Sequence, residues 1–195
     1  MSVNDLSGMT GRRPRRALSG LAGRRWRRVA GACAVVLLVI GAVTARIFIW
    51  PAASMPPRVS AIVMVDGPGD PLSVAVGLAR QHRAPFLVVS LGSPGSSYSC
   101  PGPIPGVRLI CFNPKPATTA GEAQFVGSLA RKFRWKSVAL VAITPQGFRA
   151  RLRVERCFTG RVYLVTAPLP LSSWPYQIAY QWAALAKALV VQRGC

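Results

Sequence analysis

The sequence predicts an α/β sandwich with a mainly parallel five-stranded sheet, preceded by one N-terminal transmembrane helix. Two observations lead to this prediction. An uncharged apolar run, residues 29–45, lies near the start of the 195-residue chain, and beyond residue 59 short apolar runs alternate with amphipathic segments. Continuous apolar runs are typical of parallel strands buried on both faces, and their alternation with helices is typical of a layered α/β domain.

The first predicted element is a transmembrane helix over residues 29–50. Residues 29–45 contain no charged side chain, and the apolar run continues after one arginine to Trp50. At about 1.5 Å per residue the segment covers roughly 33 Å, which is close to the hydrocarbon thickness of a bilayer. Trp26 and Trp50 have the side chain that is common at the two membrane interfaces. Residues 51–58, rich in proline, are predicted to be a short stiff linker.

Charge predicts the orientation of this helix. The chain has 25 Lys+Arg and 5 Asp+Glu, a net charge of +20. Residues 1–28 hold eight arginines and one aspartate, which is +7, and residues 51–195 hold 16 basic and 4 acidic residues, which is +12. Because a basic cluster before an apolar run stays in the cytoplasm, we predict a cytoplasmic tail at 1–28 and an exported domain at 59–195. This arrangement argues against nucleic-acid binding, which the net charge alone would favour.

A cleaved signal peptide is the alternative to an uncleaved anchor. Val43, Thr44 and Ala45 are small or short side chains of the kind that precede a cleavage site. Arg46 directly after them makes cleavage less favourable. We therefore expect the helix to remain as an anchor.

Four cysteines are predicted to form two disulfide bonds. Cys33 lies in the predicted membrane helix, which leaves Cys100, Cys111, Cys157 and Cys195 in the exported domain. Four cysteines allow three connectivities. We predict Cys100 with Cys111, across a loop rich in Gly, Pro and Ser, and Cys157 with Cys195, from the end of a helix to the last residue. A zinc site is the alternative, but the chain has no Cys-x-x-Cys pair, so no metal site is predicted.

Strands and helices are predicted to alternate through the exported domain. The predicted strands are residues 61–65, 86–90, 107–112, 137–143 and 162–165. The predicted helices are about 71–82, 119–133, 146–157 and a final helix that opens at Ser173. Asp70 is suited to cap the first of these helices. Thr119 and Glu122 have the spacing of a capping box at the start of the second.

The last two helices have distinct faces. On helix 146–157, three arginines share one arc, which predicts a basic face. These arginines are Arg149, Arg153 and Arg156. On the final helix an apolar stripe is predicted to be buried. This stripe consists of Ile178, Trp182, Leu185 and Leu189.

A polar cleft is predicted where the strands end, because ligands of open α/β sheets bind outside the carboxyl ends of the strands. Loops rich in Gly, Ser, Thr or charge follow four predicted strands there. The candidate ligand-binding residues in these loops are Gly67, Gly69, Ser90, Thr119, Glu122, Gln146 and Arg149. Backbone amides and helix N-termini suit an anion. Arg149 at a helix start opposes the helix dipole, which a bound anion would explain.

The sequence assigns no catalytic residue and no cofactor. The single histidine, His82, ends a predicted helix away from the cleft. The chain has no Gly-x-Ser-x-Gly elbow, no Walker phosphate loop and no carboxylate cluster. Whether the protein is an enzyme stays open at this point.

The order of these motifs resembles the YdcF/SanA/ElyC family, an envelope-linked family of unknown function with a Rossmann-like fold. The resemblance covers roughly residues 59–167. It is carried by the strand and turn at 61–69, by Val88-Val-Ser-Leu-Gly92, by Thr118-Thr-Ala-Gly-Glu122 and by the segment 142–150. In that last segment Arg149 and Ala150 agree with the family, whereas Gln146 stands where the family usually has histidine. The paired cysteines and the C-terminal segment look like an actinobacterial branch.

The resemblance implies a protein of the cell envelope that handles peptidoglycan precursors or lipid carriers. Our leading hypothesis is a membrane-anchored protein whose exported domain binds an anionic or phosphorylated envelope ligand. The +12 of that domain also favours contact with anionic lipid. The alternative is a non-catalytic scaffold that recruits envelope-assembly partners. Gln146 favours the scaffold, because an amide does not exchange protons near neutral pH.

Overall fold

The computed structural model describes residues 18–92 and 98–195. Most of the predicted cytoplasmic tail, residues 1–17, and part of the Gly/Ser loop, residues 93–97, therefore lie outside the described residues. The chain divides between Ala42 and Val43 into two compact units. Each unit is described on its own.

The described part of the first unit is helical. Helix α1 covers Leu18–Thr44 and leads into a π-helical turn, Ala45–Ile49, so its last two residues and this turn belong to the second unit. The stretch Arg25–Ile49 has 25 residues and contains an 18-residue segment with a mean hydropathy of 2.5. The apolar side chains in its first part are exposed, Leu38 by 74%, whereas Phe48 near its end is buried. The described part of the chain thus holds one helix that is long and apolar enough to cross a membrane, as the sequence predicts.

The second unit is built on five parallel strands, counted over the described residues. They are β1 (Ala61–Met64), β2 (Phe86–Ser90), β3 (Arg108–Phe112), β4 (Ser137–Ile143) and β5 (Arg161–Ala167). The order across the sheet is β3-β2-β1-β4-β5, and every neighbouring pair is parallel. The predicted α/β sandwich is confirmed, and its strand order is Rossmann-like. The chain changes direction across the sheet at the neighbouring strands β1 and β4, the place where such folds bind ligands.

Helices cover both faces of the sheet. Helices α2 (Pro71–Arg80), α3 (Thr119–Phe133) and α4 (Gly147–Cys157) pack on the sheet, and α5 (Trp174–Val190) packs against α4. On one face, Leu78 of α2 packs in a cluster with Ile62 of β1. On the other face, Val126 of α3 and Val154 of α4 pack in a cluster with Val63. Because β1 is covered on both faces, all four of its residues are buried and apolar.

The helix starts agree with the sequence at α2 but not at α3. Asp70 caps α2 as predicted, accepting the amide of Ser73 at 3.0 Å. The predicted capping box of Thr119 and Glu122 is wrong. The cap of α3 is Thr118, whose hydroxyl accepts the amide of Gly121 at 3.3 Å. Glu122 does not turn back to the cap, because its carboxyl is held inside the domain by another loop.

The buried face of α5 also differs from the predicted apolar stripe. Leu185 is buried as expected, but Trp182 is 36% exposed and Leu189 is 47% exposed. The buried positions of α5 are Gln177, Gln181, Leu185 and Ala188. The first half of this face is polar because it packs against arginines of α4 rather than against an apolar core.

Both predicted disulfide bonds are present. Cys100 and Cys111 have Cα atoms 5.9 Å apart, and Cys157 and Cys195 have Cα atoms 4.9 Å apart. Cys33 is a free, exposed thiol. The second bond joins the end of α4 to the segment that follows α5, so it ties these two helices together.

Removing the second disulfide is expected to destabilise the domain substantially. Its cysteines are separated by 38 positions, and the entropy that such a cross-link removes from the unfolded chain corresponds to about 3–4 kcal/mol. The variant Cys157→Ser/Cys195→Ser should therefore unfold at lower urea concentration than the native full-length chain in detergent. The control Cys100→Ser/Cys111→Ser opens a bond with a separation of 11 and should lose less, about 2–3 kcal/mol. A larger loss in the control would contradict this ranking.

Candidate functional site

A cleft of about 410 Å³ opens at the carboxyl edge of the sheet, beside the ends of β1 and β4. Its walls come from the loop after β1, the start of α3, the turn before α4 and one side of α5. Five of the seven predicted ligand-binding residues line it. They are Gly67, Thr119, Glu122, Gln146 and Arg149.

Gly69 and Ser90 lie beside this cleft and do not line it. Gly69 has φ +88°, and a Cβ there would lie 3.0 Å from the carbonyl oxygen of Pro168. Its place in the fold is therefore a turn that packs closely against another loop. Ser90 is fully buried at the end of β2, close to the carboxyl of Glu122.

The loop after β1 is held by hydrogen bonds from three other segments. The amide of Asp66 donates to Oε1 of Glu122 at 2.7 Å, and its carbonyl accepts from Nε2 of Gln146 at 2.9 Å. The hydroxyl of Tyr98 lies 2.6 Å from the carbonyl oxygen of Gly67 and 2.9 Å from that of Gly69. Tyr98, which the sequence did not single out, is thus a part of the site's support. These hydrogen bonds hold the loop after β1 in one conformation, so the loop is preorganised.

Gln146 is buried against Gly67 and keeps one acceptor atom without a partner. A Cβ on Gly67 would lie 2.5 Å from Oε1 of Gln146, so a side chain at position 67 would displace this amide. Because Nε2 of Gln146 donates to the carbonyl of Asp66, the other polar atom of this amide, Oε1, is an acceptor. Oε1 is buried and has no hydrogen-bond partner among the described residues. A buried acceptor at a cleft wall is a position where a ligand donor would bind favourably.

Glu122 has a strongly perturbed acidity. Its side chain is 2% exposed, and burial raises the pKa of its carboxyl to about 7. The Ser90 hydroxyl, the Asp66 amide and the charge of Arg149 each lower this pKa in part. The carboxyl therefore exchanges its proton near neutral pH, a property common at functional sites.

Arg149 brings a positive charge into the cleft and forms no ion pair with a described residue. The residue is 8% exposed. Its Nε donates to Oε1 of Gln181 at 2.8 Å and its Nη1 to the hydroxyl of Thr119 at 3.0 Å. The ion pair found among the described residues, Arg151 with Glu155, lies elsewhere on α4. Burial lowers the pKa of Arg149, but a guanidinium remains charged in proteins.

The other two arginines of the basic face of α4 bind the end of α5. Arg153 donates to both the carbonyl and the side-chain oxygen of Gln192. Arg156 donates to the carbonyls of Ala188 and Gln192, at 2.9 and 2.8 Å. Cations are favourable at the carboxyl end of a helix, where the dipole is negative. Arg149 does not bind the end of α5. Its hydrogen bonds go to Thr119 of α3 and Gln181 in the middle of α5, which both line the cleft.

The contribution of α5 to the cleft was missed by sequence reasoning. One side of this helix forms a wall of the cleft, with Tyr176, Gln177, Tyr180, Gln181 and Lys187. The rings of Tyr176 and Tyr180 are stacked, 6.2 Å apart. Two glutamines four positions apart in an otherwise apolar helix were the available signal, since that spacing puts both on one face.

Comparison with protein-family models, with curated proteins and with solved structures found no match. No group of three metal-ligating side chains occurs within the described part of the chain. The class of this protein is therefore defined by its fold and its cleft alone. The protein is a Rossmann-like α/β domain with a preorganised polar cleft at the end of β1 and β4, joined to a helix that could cross a membrane.

Proposed function

We propose that this chain is a single-pass membrane protein of the cell envelope, and that its exported domain binds a phosphorylated or otherwise anionic ligand. The apolar helix Arg25–Ile49 supports the anchor. The arginines before it support a cytoplasmic N-terminus. Two disulfide bonds support an oxidising compartment for the domain.

The observation that carries the ligand proposal is the buried guanidinium of Arg149. A buried charge is costly unless it is paired, and its present partners, Thr119 and Gln181, are both neutral. Glu122 neutralises it incompletely, because a carboxyl with a pKa of about 7 is partly protonated at neutral pH. An anion in the cleft would supply the missing charge.

The surroundings of Arg149 add to the attraction for an anion. The first turn of α3 lines the cleft, so the positive end of a 15-residue helix points to the ligand. Arg153 and Lys187 also line it, against the single further carboxylate of Asp66 among the described lining residues. The cleft therefore has a positive excess that suits phosphate.

The family resemblance narrows the proposed ligand to phosphorylated peptidoglycan precursors or lipid carriers. Gln146 takes the place of the histidine that the family usually has, and here its amide is used to hold the Asp66 carbonyl. A glutamine at position 146 favours ligand binding over proton transfer. We therefore propose that the cleft binds its ligand. The partners that go with it are the membrane and an anionic lipid or envelope precursor.

Inorganic pyrophosphate is a suitable first probe of this cleft. We expect Arg149→Gln, measured in the full-length chain in detergent, to weaken pyrophosphate binding by about 10–100-fold. This is the loss of affinity that removal of a hydrogen bond to a charged group causes. Arg151→Gln is the matched control, because it removes the same charge from the exposed side of the same helix. Its affinity should stay within about twofold, as surface pairs contribute little. Titration calorimetry measures both, and equal weakening in the two variants would remove Arg149 from the site.

A further inference from the structure

Helix α5 has an exposed apolar face that the cleft does not use. We call this face the outer stripe. It consists of Ala179, Trp182, Ala183, Ala186, Leu189 and Val190. These residues share one arc of the helix, all are exposed, and none is charged. Val190 is 66% exposed. A contiguous apolar patch of this kind usually marks a contact surface.

The outer stripe is continuous with the end of the segment that could cross a membrane. The ring of Trp182 meets that of Phe48 edge to face, with centroids 5.3 Å apart. Its Nε1 donates to the hydroxyl of Thr44 at 3.2 Å. Thr44 and Phe48 belong to the same compact unit as α5, and they are also among the last residues of the stretch Arg25–Ile49.

These contacts relate the position of Trp182 on α5 to the end of the membrane-length helix. A membrane helix leaves the hydrocarbon at its end, where tryptophan and arginine are favoured side chains. Arg46 and Trp50 are such side chains, and Nη1 of Arg46 donates to the carbonyl of Trp50 at 2.8 Å. Trp182 touches residues directly before them. It therefore lies at the level of the membrane interface.

We propose that α5 lies on the outer surface of the cell membrane, with the outer stripe at the boundary between head groups and acyl chains. An amphipathic helix binds in this way, with its apolar face buried about 5–10 Å and its cations near anionic head groups. Arg46, two positions before Phe48, and Arg193, three positions after Val190, are exposed and provide those cations. The proposal rests on the membrane anchor of the proposed function and is independent of its ligand.

The proposal has a consequence for the cleft. The other side of α5 carries Gln177 and Gln181 and forms a cleft wall. The cleft is thus separated from the lipid by one helix, a width of about 10 Å. An anionic head group would reach Arg149 while its acyl chains stay in the bilayer.

Quenching by nitroxide-labelled lipids tests this position. The full-length chain is reconstituted in vesicles of phosphatidylcholine and phosphatidylglycerol, with a fluorescent non-natural amino acid at Ala186. A label at Leu37 in the apolar helix reports insertion. A label at Arg80, exposed on α2 across the sheet, is the matched control. We expect quenching at position 186 to be about threefold stronger than at position 80, as for a residue at the acyl boundary.

Each outcome decides the proposal. Strong quenching at 37 and 186 with weak quenching at 80 supports it. Quenching at 37 alone overturns it and leaves the anchor intact. Quenching at none of the three positions overturns both the proposed position of α5 and the proposed membrane anchor. Emission at 186 that changes with protein-to-lipid ratio instead of with nitroxide shows that a second copy covers the stripe, which also overturns it. A label at Ala183 repeats the measurement if the first variant fails to form its disulfides.

Discussion

At pH 8 the variant Glu122→Gln is expected to be more stable than the native chain by about 2–3 kcal/mol. Burial raises the pKa of this carboxyl from 4.5 to about 7. Between these values the folded protein keeps a proton that the unfolded chain releases, so the stability of the native chain falls as the pH rises through this window. Above the upper value the buried charge is fully present and the destabilisation is complete. Glutamine carries no charge and retains an oxygen for the amide of Asp66.

Urea unfolding of both chains at pH 5 and pH 8 measures this difference. The variant should lose much less stability than the native chain over that interval. Glu155→Gln is the control, because Glu155 is a half-exposed partner of Arg151, and it should change stability by less than about 1 kcal/mol at either pH. If native and Glu122→Gln chains show the same pH dependence, the carboxyl is not the buried acid described above.

The second large effect is expected at the start of α3. In Gly121→Ala the new Cβ would lie 2.0 Å from the carbonyl oxygen of Pro116 and 2.9 Å from the carbonyl carbon of Lys115. Both are backbone atoms, so the loop before α3 must move, and we expect a loss of about 3 kcal/mol. The amide of Gly121 is also the one that bonds the capping hydroxyl of Thr118. Moving it displaces Thr119 and Glu122 from the cleft.

Gly77→Ala provides the matched control for Gly121→Ala. Gly77 lies inside α2, and a Cβ there would meet nothing within 4 Å. Alanine is favoured over glycine inside a helix, so this variant should gain about 0.5–1 kcal/mol. Thermal unfolding of the two variants should therefore move in opposite directions. A Gly121→Ala chain as stable as the native one, with unchanged pyrophosphate binding, would contradict the close packing at this helix start.

Sequence patterns over a few residues were sufficient to predict much of this fold. The run of β1 is apolar throughout because both faces of the strand are covered. The pairing of Cys157 with Cys195 was predicted as a link between the end of a helix and the last residue, and it is present. The membrane-length helix, predicted at residues 29–50, was recognisable from length and hydropathy alone.

Two wrong predictions show which features local sequence patterns do not determine. Thr118 and Thr119 are equally good caps in sequence, and the choice between them depended on where Glu122 binds. Its partner is the amide of Asp66, 56 positions away. The apolar stripe of α5 was assigned to the core because exposed apolar residues are unfavourable in water. That rule fails for Trp182, which contacts the end of an apolar helix instead.

The sequence by itself determined the parallel sheet and the membrane-length helix, because both depend on residue types at fixed local spacing. Only the tertiary structure decided that Arg149 is a buried cation with neutral partners. Those partners, Thr119 and Gln181, lie 30 and 32 positions from it on two other helices. Burial and charge compensation depend on residues that are distant in the chain, and for this reason the cleft could be located from the sequence but its electrostatics could not.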